Sequence, residues 1–392
     1  MNVITHLDSF IEEIYPQLVQ WRRYLHENPE LSFKEAKTSE WIEQQLLLMG
    51  CQVQRSELTY GLIVTIKGEL PGPTIALRAD IDALPIQDEK NVSYASKVPN
   101  VMHACGHDGH TATLLGIASY YMKHKNQLAG ERRLIFQPAE ELAPGGASAL
   151  IKEGALETVD AVYGVHLWTP LETGKISTKP GYFMSAVDDF QMVITGKGGH
   201  GGMPHDTIDA ILVGTSLVQS LQTIVSRNVN PIEPAVLTVG SFQAGHANNV
   251  IAERCLIKGT IRTFDEQTRQ MIIEKVQQLA RMICEGYGAK LEMEIKIGYP
   301  AVYNDEHEAL RILELAKEQV GAEQVVSAHP IMIAEDFSFY LKEKPGCFMF
   351  VGAGNEACGA IYPHHHPKFD FDEAAMKHAM RMLIVTAETY EC

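Results

Sequence analysis

A chain of 392 residues exceeds the size at which one hydrophobic core usually stops growing, so two domains are expected. Its 45% hydrophobic and 21% charged residues describe a folded globular protein, and 49 acidic against 33 basic residues, a net charge of -16, exclude nucleic acid and anionic membrane surfaces as partners. The start MNVITHLDSFIEE lacks a basic segment followed by an apolar one, and no run reaches the roughly 18 apolar residues of a membrane span, which reads as a cytoplasmic protein.

In chain order, Ile11, Ile14, Leu18, Trp21 and Leu25 recur at helical spacing until Pro29, and a second helix ends near Gly50. Extended runs follow at GLIVTIKGE, TIALRADID, RRLIFQPAEE and DAVYGVHLW, with helical stretches TATLLGIASYYMKH and GGASALIKEGAL between them. This alternation predicts an α/β domain with a helix-covered mixed sheet. From about Val187 to Ile297 the pattern becomes strand, helix, strand, strand, helix, strand, a ferredoxin-like α+β unit inserted into the larger domain. The larger domain is thus 1-186 and 298-392, and the inserted domain 187-297.

Seven cysteines form no C-x-x-C pair and no disulfide framework, so reduced thiols are expected. Cys105 differs from the rest by its neighbours: Met102 to His110 reads MHACGHDGH, and H-x-C-x-H offers thiolate and imidazole donors two residues apart. Asp80 and Asp82, Glu140 and Glu141, and His166 each follow a predicted strand, where ligands of open α/β sheets gather. A lone His or Glu pair is usually solvated surface; convergence of several is what makes a metal site. A strand-like backbone would point Glu140 and Glu141 in different directions, one to metal and one to substrate.

Other chemistries find little support. There is no G-x-S-x-G elbow and no H-E-x-x-H helix. Gly196, Gly198 and Gly201 match G-x-G-x-x-G, but the following strand AVLTVGSF ends without the acidic residue a dinucleotide site needs, so these glycines read as a turn carrying His200.

The segments RADIDALPI, MHACGHDGHTA, IFQPAEE, GVHLW, TGKGGHGGMPH, TIVSRN, AEDFSFYL and HHHPKFDFDE resemble, in order, those of the aminoacylase and hippurate hydrolase family of metal-dependent amidohydrolases, relatives of metallopeptidases. The resemblance covers nearly the whole chain. It implies two divalent metal ions per subunit, Zn, Mn, Co or Ni, with Cys105, His107, Glu141, His166 and His365 as ligands and Glu140 as general base. His365 is the choice within His364-His365-His366 because the family's ligand stands two residues before the proline, here Pro367. Asp80 stands where related deacylases and peptidases carry a ligand histidine, which leaves its role open; Asp82 is given a supporting catalytic role, and His103 and His110 one in orientation or packing. His200 is implied as oxyanion donor, from an inserted lid or dimerisation domain that often belongs to a partner subunit, and Asn249 and Arg262 as holders of the substrate carboxylate. The implied activity is hydrolysis of N-acyl-L-amino acids, acetyl, benzoyl or similar, by a homodimer or homotetramer. A dipeptidase or carboxypeptidase with the same centre is the alternative; a non-catalytic metal- or ligand-binding protein is the third reading.

Overall fold

The computed structural model describes residues 6-390, which divide into two compact units; Cys392 lies outside the described residues. The first unit takes in 6-183, 303-329 and 336-390. The second is Met184–Val302 with Pro330–Glu335. Sequence patterning put the inserted stretch at 187-297. The wider bounds arise from backbone pairing, since Ser185 N–H donates to the carbonyls of Ile331 and Ile333 at 3.1 and 2.9 Å, stitching the short segment to the start of the unit.

The first unit is built on an eight-stranded mixed sheet in the order Gln52–Arg55, Leu62–Lys67, Ala129–Gln137, Leu70–Asp80, Ala161–Glu172, Gly346–Gly354, Ile176–Thr178, Val325–Ser327. Four adjacent central strands, from Ala129–Gln137 to Gly346–Gly354, run parallel, so their carboxyl ends open on one side. Strand alternation sorts the side chains: Ile75, Leu77, Tyr163, Val165, Met349 and Val351 join the main apolar core with the helices Leu7–Glu27, His107–Lys123 and Ala375–Glu388. Gly164 and Phe348, of opposite parity, face the Phe337 ring, which is 5.0 Å from Phe348 between centroids. A Cβ on Gly164 would lie 2.8 Å from Phe348 and 2.9 Å from Phe337, so only glycine fits there. Burial of the sheet on both faces explains why these strands read as continuous apolar runs.

Two local expectations are corrected. The strand holding His166 runs on to Glu172 instead of ending after Val165, because Leu167 and Trp168 keep pairing with Val351 and Gly352. The helix expected over GGASALIKEGAL is only Ala147–Lys152.

The second unit follows the order Ala186–Thr195, helix Ala210–Asn228, Ala235–Ala244, Arg254–Thr263, helix Glu266–Gly286, Lys290–Ile297. Its antiparallel sheet is ordered Ala235–Ala244, Arg254–Thr263, Ala186–Thr195, Lys290–Ile297, the ferredoxin-like arrangement. Met192, Ile194, Cys255, Ile257 and Ile261 pack on the two helices. Asp209 and Asp265 cap those helices through their carboxylates. No helix among the described residues is long and apolar enough to cross a membrane.

Candidate metal centre

Five donor-bearing residues meet where the parallel strands end. Cys105 Sγ lies 3.4 Å from His166 Nε2, and His107 Nε2 lies 3.8 Å from Glu141 Oε1, which is 3.3 Å from His365 Nε2. Two triads have all their ligand atoms within 4.8 Å of one another: Cys105 with His107 and His166, and Cys105 with Glu141 and His365. They share Cys105. His107, Glu140 and Glu141 form a further such group.

Each ligand atom is aimed by its neighbours. His107 opens the helix His107–Lys123 and turns Nδ1 to the carbonyl and carboxylate of Asp82, at 2.9 and 3.2 Å, which leaves Nε2 facing the other donors. Asp82 is buried; its other oxygen accepts Ser32 Oγ–H at 2.6 Å and Glu141 N–H at 3.1 Å. His166 Nδ1 donates to Leu167 O at 2.9 Å, which directs Nε2 at Cys105. His365 has φ 64 and is tied to the Cys105 segment by its N–H, 2.8 Å from Ala104 O.

Asp80, whose role the sequence left open, is locked in place. It accepts from His110 Nδ1 at 2.6 Å and from Arg78 at 2.7 Å, and sits 3.7 Å from His107 Nε2. Burial alone would raise its pKa, yet His107, His110 and Arg78 hold it well below the usual carboxylate range. Burial likewise opposes a charged His107, but Asp80, Asp82 and Glu141 outweigh it and carry its pKa to about 10. The acidic groups around His107 thus favour positive charge at this point.

Whether divalent ions suit these residues can be judged from two buried atoms. His107 Nε2 is buried with no hydrogen-bond partner, a costly state unless a ligand such as a metal ion satisfies it, and Glu141 Oε1, buried beside it, has only the 3.3 Å contact with His365 Nε2. Burial also holds the His166 pKa well below its usual value, so its imidazole offers a lone pair and not a charge. The thiolate, imidazole and carboxylate set fits a borderline divalent ion.

The remaining histidines of the two motifs do not supply donors to these groups. His364 donates to Leu167 O at 3.0 Å and stacks on Trp168, with centroids 4.6 Å apart. His366 stacks on Tyr362. His103 is buried, and burial lowers its pKa to about 4.

One expectation about this region needs correction. Glu140 and Glu141 do not follow a strand-like backbone, because Ala139 has φ 57 and the chain turns there. His200 and Arg262 lie towards different ends of the second unit. His200 pairs with Val250 beside Asn249, whereas Arg262 pairs with Val187 at the far end of the strand whose other end pairs Arg254 with Thr195. Eight residues of strand place Arg262 about 26 Å from Arg254, and His200 pairs with Val250, four residues before Arg254. Arg262 shares the helix-free face of that sheet with Lys258 and Thr260, which line a cavity of about 410 Å³.

Sequence reasoning missed Ser32, Glu35, Arg22 and His26. Arg22 Nε and His26 Nδ1 both reach Asp108 Oδ2, at 2.9 and 2.7 Å, anchoring the helix end that carries His107. Their segments read as ordinary amphipathic helix and loop, and nothing in them signals a site.

Residues 76–389 match the model of peptidase family M20/M25/M40. The chain belongs to this family. It is 47% identical over 299 residues to the N-acyl-L-amino acid amidohydrolase of Geobacillus stearothermophilus, covering 76% of this chain and 80% of the relative. It is 38% identical to thermostable carboxypeptidase 2 of Saccharolobus solfataricus, over 96% of each chain. Among solved structures, the YxeP protein of Bacillus subtilis, described as a dinuclear metal binding peptidase from the M20 family, superposes with a TM-score of 0.79 at 36% identity, over 96% of this chain and 99% of that one. The M20 chain is a hydrolase, and the expectation of metal-dependent amide hydrolysis on a mixed α/β fold stands.

Proposed function

We propose that the chain hydrolyses the amide bond of N-acyl-L-amino acids in the cytoplasm, using two divalent ions of Zn, Mn, Co or Ni held by Cys105, His107, Glu141, His166 and His365. The observation that carries this reading is the pair of donor triads sharing Cys105. Cys105, common to both triads, would bind borderline divalent ions as a thiolate together with the imidazole and carboxylate donors. When bound, the ions supply Lewis acidity towards a carbonyl oxygen and towards water.

The chain's own groups do the rest. Glu140, grouped with His107 and Glu141, takes a proton from the attacking water and returns it to the leaving amine nitrogen. Asp82 keeps the His107 ring and the Glu141 backbone in place. His200 donates to the oxygen that gains negative charge in the tetrahedral transition state. Asn249 and Arg262 hold the substrate carboxylate, for which a guanidinium fork is suited.

The separation of His200 from Arg262 supports a homodimer or homotetramer in which one copy supplies Arg262 and another supplies His200 to the same substrate. The second unit then acts as lid and dimerisation domain. A carboxypeptidase or dipeptidase reading is favoured by the likeness to thermostable carboxypeptidase 2. Release of free amino acid from a panel of N-acetyl and N-benzoyl amino acids, set against dipeptides after reconstitution with each metal, separates the two; faster turnover of every dipeptide would overturn the first reading. Within that panel, wild type should prefer an acid to its neutral carboxamide and Arg262→Ala should lose most of that preference.

A further inference from the structure

Three of the positive-φ residues without a glycine's freedom bear on the metal centre: Phe33 at φ 63, Ala139 at φ 57 and His365 at φ 64. One atom holds two of them. Glu35 Oε1 accepts Phe33 N–H at 3.0 Å and Ala139 N–H at 2.8 Å. Glu35 and Ala139 are both fully buried, so Ala139 N–H has no water to fall back on. Glu35 Oε2 is buried with no hydrogen-bond partner.

Ala139 immediately precedes Glu140 and Glu141. An L-residue leaves the left-handed region unless its surroundings hold it there. A return of Ala139 to negative φ would swing both following side chains. The same loop braces the site a second time, since Ser32 Oγ donates to the Asp82 oxygen that also receives Glu141 N–H.

The geometry points to Glu35 as a positioning residue: by holding Ala139 in its left-handed turn, it sends Glu140 and Glu141 into separate tasks. This rests on the roles proposed for those two glutamates. Its test is kept distinct because it asks whether a change of backbone at 139 repairs a change of side chain at 35, while Glu140→Gln and Glu141→Gln test the roles themselves.

Glycine adopts positive φ without strain, so Ala139→Gly makes the turn without help. Glu35→Leu should weaken metal retention in a chelator competition and lower kcat/KM, each by roughly 10- to 100-fold, the scale of losing a group that orients a ligand. Ala139→Gly alone should be close to wild type, and combined with Glu35→Leu it should restore most of both losses. Glu35→Gln keeps the accepting oxygen and should retain metal and rate. If Glu35→Leu does not fold, Glu35→Asp, which is too short to reach Ala139, gives the same comparison. A role in packing alone predicts no specific rescue: Ala139→Gly then relieves the same strain with or without Glu35, so melting temperature rises equally in both backgrounds while metal retention and kcat/KM stay low. No defect in Glu35→Leu, or a double variant no better than the single one, overturns the proposal.

Discussion

His110 gives its Nδ1 proton to Asp80 across 2.6 Å and receives Leu167 N–H on Nε2 at 2.9 Å. A backbone N–H can only donate, which sets this tautomer. The Leu167 peptide is thereby gripped from both sides, since its carbonyl accepts from His166 Nδ1 and His364 Nε2. His110→Gln, able to imitate the accepting nitrogen, should hold metal nearly as wild type, whereas His110→Leu should lose roughly 10- to 100-fold in affinity. Chelator competition read on the folded proteins decides it.

Cys105→Ser should lower the metal content of the purified protein, because a hydroxyl is a much poorer ligand than a thiolate. Chelation of wild type should abolish activity, and added divalent metal should restore it. Elemental analysis checks the first outcome; full occupancy in Cys105→Ser would remove the thiol from the ligand set.

Glu140→Gln and Glu141→Gln should differ in kind. The first should keep its metal while kcat falls by roughly two to four orders of magnitude, the usual scale for general acid-base catalysis. The second should lose metal affinity. Metal stoichiometry and kcat measured on both variants separate them, and equal metal loss would contradict the division.

Subunit exchange tests the distance between His200 and Arg262. In a mixed dimer of His200→Ala with Arg262→Ala, one site receives both intact residues and the other receives neither. Equal mixing of dimers makes half of them mixed, so about a quarter of wild-type sites should reappear. Activity that never exceeds the average of the two parents would mean that one copy supplies both residues, or neither.

Burial, followed by the charge of Asp82, raises the Glu35 pKa from 4.5 to about 8. The fold thus favours the protonated acid, while the unfolded chain ionises near 4.5. Stability from this group is full below pH 4.5 and is lost as the pH rises towards 8. Thermal unfolding from pH 5 to 9 should show Glu35→Gln gaining on wild type as the pH rises; a constant difference would refute the shift.

That these donors gather could be anticipated because Glu141 and His166 go with apolar runs that a parallel sheet demands, and because MHACGHDGH concentrates rare donors. The inserted unit showed itself through the switch in period between helix and strand. What could not be read depends on three-dimensional register. The spacing of His200 and Arg262 in sequence says nothing about opposite ends of a sheet, and PAEE contains no glycine to announce a left-handed turn at Ala139. The bond between Asp80 and His110 joins a strand end to a helix start, and neither residue type alone reveals it.

The ordering of the donors along the chain has a consequence for synthesis. With His365 among the ligands, Cys105, His107, Glu141 and His166 wait for a residue made after the entire second unit, whose helices and sheet are already complete by Ile297. A ribosome-bound chain therefore carries a donor set open at one corner, and the strand Gly346–Gly354 that pairs beside His166 is missing as well. On the proposed ligand set, tight metal capture waits until the segment around His365 has been made, after the second unit's helices and sheet.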